Sequence, residues 1–309
     1  MKLIVPVAGK GTRLQPYTLM RPKALLPVAG KPILDWISES LQDLPITEQF
    51  YITGYLGDQI QSHFEQKNTP NIRFIEQANP KGLAHAISLC LEQLPDTEPL
   101  LIILGDTLFK ANLSTLKNAK ENILMTLKVQ DPERFGVAVK DENGNITKLV
   151  EKPKDFVSDE ALIGIYYIHD IAPFKKSIAH ILENNIQTNG EYQLTDALQH
   201  MIQSGLKFKT QSIDQWLDCG LKETLLDTNS VLLQETDNSK EHQFPNTQII
   251  PPCYIGKGVQ ISNSTIGPNV SIGDHSTVHN CSLQNSIVWE GLTLNHQKLT
   301  QEIKGIGIS

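Results

Sequence analysis

The chain has 309 residues, 39% of them hydrophobic, and carries a formal net charge of −7 at pH 7. Those values fit one large or two smaller globular domains with a sizeable core, and they speak against a general nucleic-acid binder. Its four cysteines form no C-x-x-C pair, which argues against a zinc knuckle or disulfide framework and suits a reducing cytoplasm; no apolar run reaches transmembrane length, and the N-terminal one is too short for a signal peptide.

Leu3-Ile4-Val5-Pro6-Val7 reads as a buried parallel strand that feeds a glycine-rich loop at its carboxyl end, where open α/β sheets bind ligands. Gly9 and Gly11 let backbone N–H groups approach an anion closely. Lys10, Arg13, Arg21, Lys23 and Lys31 follow, and no acidic residue precedes Asp35. This basic opening runs against the global balance and predicts a small polyanionic ligand. It is not a Walker A loop, because Thr12 follows Gly11; nor is it a dinucleotide fingerprint, because Leu14 stands where the third glycine belongs.

Apolar spacing then predicts a helix over Pro32–Leu44, a strand at Phe50–Thr53, a helix over Gly57–Gln66 and a strand at Ile72–Ile75. A helix over Leu83–Leu94 and a fully apolar strand at Leu100–Leu104 follow, the strand ending on Gly105-Asp106. This alternation argues for a doubly wound, largely parallel α/β sheet. Strands at Ile123–Val129, Phe135–Lys140, Ile146–Val150 and Leu162–His169, joined by short loops, read as antiparallel additions to it. Helices at Pro173–Glu183 and Leu194–Gln203, a strand at Lys207–Ile213 and a helix near Leu221–Leu233 complete a domain spanning 1–234. The polar, aperiodic stretch 235–247 reads as a linker.

From Pro245 onward only Lys257, Asp274, Glu290, Lys298, Glu302 and Lys304 are charged. Ile255-Gly256, Ile266-Gly267, Ile272-Gly273, Val278 and Leu283 mark a six-residue period, the pattern of a short parallel β-helix over 248–296 with a tail at 297–309.

Asp106 and Asp218 each allow two readings from the residues alone, a turn or helix-capping aspartate or a metal ligand at the sheet's ligand edge. Lys152 in Glu151-Lys152-Pro153 could be a solvated hairpin residue, and the Gln77–Gly82 stretch an ordinary loop before a helix.

The string Gly-x-Gly-Thr-Arg-Leu-x-Pro-x-Thr over 9–18, followed by Pro-Lys-x-Leu-x-Pro-Val over 22–28, resembles the signature of the sugar-1-phosphate nucleotidylyltransferases, and among them most resembles the glucose-1-phosphate thymidylyltransferases of the longer kind. The resemblance covers roughly residues 1–233, with the tail matched by repeat pattern only. It implies a Rossmann-like nucleotidyltransferase domain followed by a left-handed β-helix. It implies nucleotide contacts at Ala8, Gly9, Gly11, Thr12, Arg13, Gln77 and Gly82, and sugar-phosphate contacts at Gly136, Glu151, Lys152, Leu162 and Tyr166. Asp106 and Asp218 would hold Mg²⁺, and Arg13, Lys23 and Lys152 would be the catalytic cations. Thr107 departs from the pattern, in which asparagine often follows the first metal aspartate.

The implied reaction is in-line attack of a sugar-1-phosphate oxygen on the α-phosphorus of dTTP, with pyrophosphate leaving. The attacking phosphate is already nucleophilic, so the task is positioning and charge stabilisation. UTP in place of dTTP, or a silent relative that senses nucleotide or sugar phosphate, are the alternatives. Acyl transfer on the β-helix, suggested by His275 and His279, is opposed by its shortness. A homo-oligomer without membrane or nucleic-acid partners completes the expectation.

Overall fold

The stretch Leu3-Ile4-Val5 is wholly buried, as expected of a strand covered on both faces. In the computed structural model, which describes residues 1–307, it lies in the first of two compact units. That unit comprises Met1–Gly9 and Ser40–Trp216; the second comprises Lys10–Glu39 and Leu217–Ser309, whose last two residues, in the expected tail, lie outside the described ones.

The first unit is built on one nine-stranded mixed sheet. Numbered in chain order, its strands are β1 (Lys2–Pro6), β2 (Glu48–Thr53), β3 (Ile72–Glu76), β4 (Leu100–Ile103), β5 (Asn122–Lys128), β6 (Gly136–Lys140), β7 (Ile146–Glu151), β8 (Glu160–Ile168) and β9 (Phe208–Ser212). The order β3-β2-β1-β4 is parallel throughout. The chain winds outward from β1 to β3 and then crosses back to place β4 on the other side of β1, so the strand order reverses between β1 and β4. Such a reversal opens a crevice at the carboxyl ends of the two strands. The expected additions join the same sheet: β8 runs antiparallel to β4, β5 and β6, and β7 antiparallel to β6. Helices Leu83–Ser88, Ile171–Glu183 and Leu194–Gln203 place Ile87, Phe174, Ile178, Leu198 and Met201 in one core with Ile4, Ile102 and Leu124.

Two helices are shorter than the apolar spacing suggests. The first runs only over Ile33–Ser40; beyond it Leu44 N–H bonds the Leu41 carbonyl at 2.9 Å in a tight turn, and Pro45 disfavours helical backbone at Leu44. The Leu83–Ser88 helix gives way to a 3₁₀ turn at Leu91–Gln93, which keeps Leu91 and Leu94 buried without a continuous α-helix.

In the second unit, helix Lys222–Thr236 is followed by three short parallel ladders of four, four and three strands, in agreement with the expected β-helix. Cys253 pairs with Val270 and Val270 with Ser286, giving coils of 17 and then 16 residues. Ile266, Ile272 and Val278 each supply a buried side chain to successive faces, as the six-residue period predicts. The ladders continue through Lys298–Thr300 and Ile303–Lys304, into the stretch expected to be a tail.

Each corner requires left-handed backbone. One column is Asn246, Asn263, Asn280 and His296; a second is Asn269, Asn285 and Gln301; a third is Gly258, His275 and Gly291, all with positive φ. Asparagine tolerates this conformation better than most residues, and neighbouring coils tie their corners together, with Asn246 Nδ2 donating to Asn263 Oδ1 at 3.1 Å and Asn269 Nδ2 to Asn285 Oδ1 at 2.9 Å.

The expected linker is docked. Asn238 bonds the Ile255 backbone in both directions, at 2.9 and 2.8 Å, and Asp237 Oδ1 accepts from Cys253 N–H at 2.9 Å. The two residues thus cover the backbone of the first Cys253–Ile255 strand, where a preceding coil would otherwise pair.

Candidate active site

In the first unit, Ala8 and Gly9 leave the end of β1 while Gly105 and Asp106 leave the end of β4, beside the strand-order reversal. Gly105 N–H reaches the Pro6 carbonyl at 3.3 Å, and a Cβ on Gly105 would lie 2.3 Å from Val7 Cγ1, so the two turns are in contact. A strand, Thr107–Lys110, and not a helix follows Asp106, which removes the helix-capping reading of that carboxylate.

Asp106 is near enough to Tyr166 for its charge to act on that hydroxyl. Tyr166 is buried, and its hydroxyl pKa is raised first by that burial and then by the negative charges of Glu151 and Asp106. Glu151 lies opposite Gly136 across β6 and β7, and accepts a 2.7 Å hydrogen bond from Thr195 Oγ1. A Cβ on Gly136 would meet Glu151 Oε2 at 3.0 Å, Leu162 Cδ1 at 3.2 Å and Thr195 Oγ1 at 3.4 Å. Three of the expected residues (Gly136, Glu151 and Leu162) therefore meet at one point, with Tyr166 near enough to feel the charges of Glu151 and Asp106. Lys152 follows directly, 3.9 Å from Glu151 and half exposed, with φ of 45° and its N–H on the Phe135 carbonyl at 3.0 Å. A lysine in left-handed backbone is uncommon, and such strain gathers at functional sites.

Gly164 links β8 to the aspartate turn. It has φ of 83°, the register of β8 slips between Leu162 and Tyr166, and Leu104 N–H donates to the Gly164 carbonyl at 2.9 Å. An added Cβ would lie 2.8 Å from Leu104 side-chain atoms and 2.9 Å from Thr107 Oγ1. Gly164→Ala is expected to destabilise the protein by about 2–4 kcal/mol, the sum of left-handed strain and overpacking, read as a lowered urea midpoint.

The second expected contact region is Gln77 and Gly82. Gln77 is buried; its Nε2 lies 3.0 Å from His85 Nδ1 and 3.4 Å from the Gly82 carbonyl, so its amide is held. Gly82 adopts φ of 109° against Tyr192, where a Cβ would sit 2.5 Å from the carbonyl oxygen. Burial, and then Lys81, lower the His85 pKa below the ordinary 6.5. The ring is thus neutral at pH 7 and able to accept from Gln77, and protonation removes that acceptor. Nucleotide affinity should therefore fall on acidification below the ordinary histidine range, because burial and Lys81 hold the His85 pKa under 6.5, and this fall should be absent in His85→Phe. Identical pH profiles for the two proteins would show that His85 does not set the Gln77 amide.

In the second unit, the glycine-rich loop closes on itself. Gly11 has φ of 61°, Thr18 Oγ1 donates to its carbonyl at 2.8 Å, and a Cβ there would lie 3.2 Å from Lys23 Cβ. Thr12–Leu14 form a 3₁₀ turn that buries Leu14 and exposes Thr12 and Arg13. The basic cluster is smaller than the sequence suggests. Arg21 is paired with Glu290, and Lys31 lies 2.8 Å from Glu39 and over the Trp36 ring. Asp218 stands before the Leu221 cap position of helix Lys222–Thr236 and so does not cap it. A Cβ on Gly220 would lie 2.9 Å from Asp218 Oδ1, so the glycine leaves that carboxylate room.

Asp106 and Asp218 offer hard oxygen donors, and among the described residues no group of three or more His, Cys, Asp or Glu could hold an ion alone. Each is a donor of the kind Mg²⁺ takes, since that ion binds through one or two carboxylates and completes its shell with waters and phosphate oxygens. Thr195, which bonds Glu151, and His85, which lies against Gln77, were not among the expected site residues, although each falls in a stretch similar to the family's pocket segments, as does Gly164.

Known proteins resemble the chain over most of its length. A glucose-1-phosphate thymidylyltransferase of Streptomyces antibioticus is 31% identical over 316 aligned residues, covering 93% of this chain and 87% of the relative. A UTP–glucose-1-phosphate uridylyltransferase of Haloferax volcanii is 33% identical over 251 residues, covering 78% of this chain and all of the relative. A crystal structure from Bacillus anthracis, described as a candidate glucose-1-phosphate thymidylyltransferase in complex with sucrose, superposes with a TM-score of 0.63 at 29% identity, covering 75% of this chain and 94% of that one. The pattern described as nucleotidyl transferase matches residues 2–235, and the chain belongs to that family.

Proposed function

We propose that the protein transfers a nucleotidyl group from dTTP to glucose-1-phosphate, releasing pyrophosphate. The observation that carries this reading is the neighbourhood at the strand-order reversal. The Gly105-Asp106 turn leaves the sheet there against Pro6-Val7, one residue before Ala8-Gly9, and the charges of Asp106 and Glu151 both act on the Tyr166 hydroxyl. A nucleotide loop, a metal carboxylate and a sugar-binding carboxylate are the parts such a reaction needs.

The attacking phosphate needs no base, so this chain's residues act by placing two anions together. The N–H groups of the Ala8–Thr12 segment and the Arg13 guanidinium take the triphosphate, and Lys23 offsets charge near the α-phosphate. Gln77 and the Gly82 backbone read the pyrimidine edge. Glu151 and Gly136 seat the sugar against Leu162 and Tyr166, and Lys152 holds its phosphate. Asp106 and Asp218 are the Mg²⁺ ligands; the bound ion supplies charge neutralisation on the phosphates. The residues 1–234 form the catalytic part, and the coils that follow wind left-handedly and serve a homo-oligomer. The Haloferax relative supports UTP as the second reading. Pyrophosphate release measured over a matrix of triphosphates and sugar-1-phosphates tests both. Turnover with dTTP and glucose-1-phosphate well above every other pair is the expected result, and no turnover with any pair would overturn it.

A further inference from the structure

Within the second unit, the segment Tyr17–Gly30 that carries the basic residues of the loop meets the coils or the helix before them at four places. Arg21 Nη1 donates to Glu290 Oε2 at 3.2 Å, its Nη2 donates to Glu290 Oε1, and its guanidinium lies 4.4 Å from the centroid of the Trp289 ring. Trp289 is itself fully buried, so the arginine is both forked and stacked on a fixed platform. The Ala29 N–H donates at 2.9 Å to Asn229 Oδ1, and that oxygen also accepts from Ser271 Oγ of the coils at 2.8 Å. Gly30 fits directly under the Tyr254 ring, where a Cβ would lie 2.5 Å from ring carbons. Tyr17 is buried close enough to the Lys222–Glu302 pair, itself 2.8 Å apart, for both charges to act on its hydroxyl.

We infer that the coils are the mount of the glycine-rich loop, with Arg21, Trp289 and Glu290 as positioning residues that fix where Lys23 and Gly11 stand. The link is short. Pro22, buried and with its φ set by its ring, separates Arg21 from Lys23, and the Lys23 stem packs against Gly11. Holding the Arg21 fork therefore fixes the start of the Lys23 turn and the floor of the anion loop. Burial alone would raise the Glu290 carboxyl, yet the hydrogen bonds and charge of Arg21 carry it below its ordinary value, so the pair is charged near neutrality. On this account Arg21, although it lies in the signature and is basic, does not bind phosphate. The inference rests on the reading of this loop as the triphosphate site.

Five full-length proteins test it: the unaltered chain, Glu290→Gln, Arg21→Gln, Arg21→Lys and the double variant. Two measurements suffice, triphosphate affinity by calorimetry and amide hydrogen exchange across residues 10–25. Each single glutamine variant is expected to weaken dTTP binding by about fivefold and to speed exchange in the loop, while exchange at Val270 and Ile272 stays slow. The double variant should be no worse than Arg21→Gln alone, because one link is broken in all three. Arg21→Lys, which keeps charge but loses the fork, should fall between. If Arg21→Gln weakens binding and Glu290→Gln does not, Arg21 meets the phosphate itself and the inference is overturned. Unchanged loop exchange in Glu290→Gln overturns it as well. A chain that binds no triphosphate would remove the functional reading, and exchange alone would then decide whether the mount exists.

Discussion

Asp106→Asn is expected to lower pyrophosphate release by roughly a thousandfold or more while leaving the thermal midpoint within a few degrees. The amide keeps the size of the carboxylate, and the position carries no helix cap whose loss would weaken the fold, since a strand follows it. What the variant loses is a charged hard oxygen. Asp218→Asn should show a loss of the same order with an equally unmoved midpoint, because Leu221 and not Asp218 holds the cap position of the neighbouring helix and the carboxylate has room beside Gly220. A chelator should abolish turnover, and added Mg²⁺ should restore it. The same chelator should leave the unfolding midpoint of the substrate-free protein unmoved, because two carboxylates without phosphate oxygens make a weak site. Retention of more than a tenth of the wild-type rate by both variants would remove the metal assignment.

The second large effect is one in which activity and stability move in opposite directions. Lys152→Gly is expected to lower turnover by about a hundredfold, the worth of one charge-assisted contact to the attacking phosphate. It should at the same time stabilise the fold by about 0.5–1 kcal/mol, because glycine relieves the left-handed backbone that lysine occupies at φ 45°. Little is given up in exchange, since the lysine side chain is half exposed and its 3.9 Å pair with Glu151 is weak. Urea titration beside steady-state kinetics reads both quantities. Lys152→Gln is the control and should lose activity without the gain in stability. A glycine variant that is less stable than the parent would show that Lys152 is held by contacts and not strained.

Much of the first unit was legible because apolar runs bounded by turn residues announce strands and helices by composition alone. Gly57–Gln66 and Leu194–Gln203 are helices over the residues that periodicity predicts, and the four strands of the β3-β2-β1-β4 run fall where the apolar runs place them. The six-residue period likewise announced the coils. What escaped was carried by polar residues acting at long separation. Arg21 meets a partner 269 positions away, and nothing in a stretch of basic residues distinguishes an arginine that holds phosphate from one that holds the protein together. Asp237 and Asn238 look like linker residues, yet their side chains bond the Cys253–Ile255 backbone as a strand would. Thr195 lies in a stretch that resembles the family's segment before a pocket helix, but its bond to Glu151 shows only in the fold, where the Leu194–Gln203 helix starts beside that carboxylate.

The corner columns of the coils bear on how this sequence can vary. Flat positions between corners are judged by volume, so aliphatic exchanges among Ile266, Ile272 and Val278 should pass with small penalties. Corner positions are judged by backbone geometry, so Asn263 or Asn280 should accept glycine and reject valine whatever the space available. A saturation scan of residues 246–304 would then read as a barcode whose dark bars recur with the stride of the winding, 17 positions from Asn263 to Asn280 and 16 from Asn280 to His296.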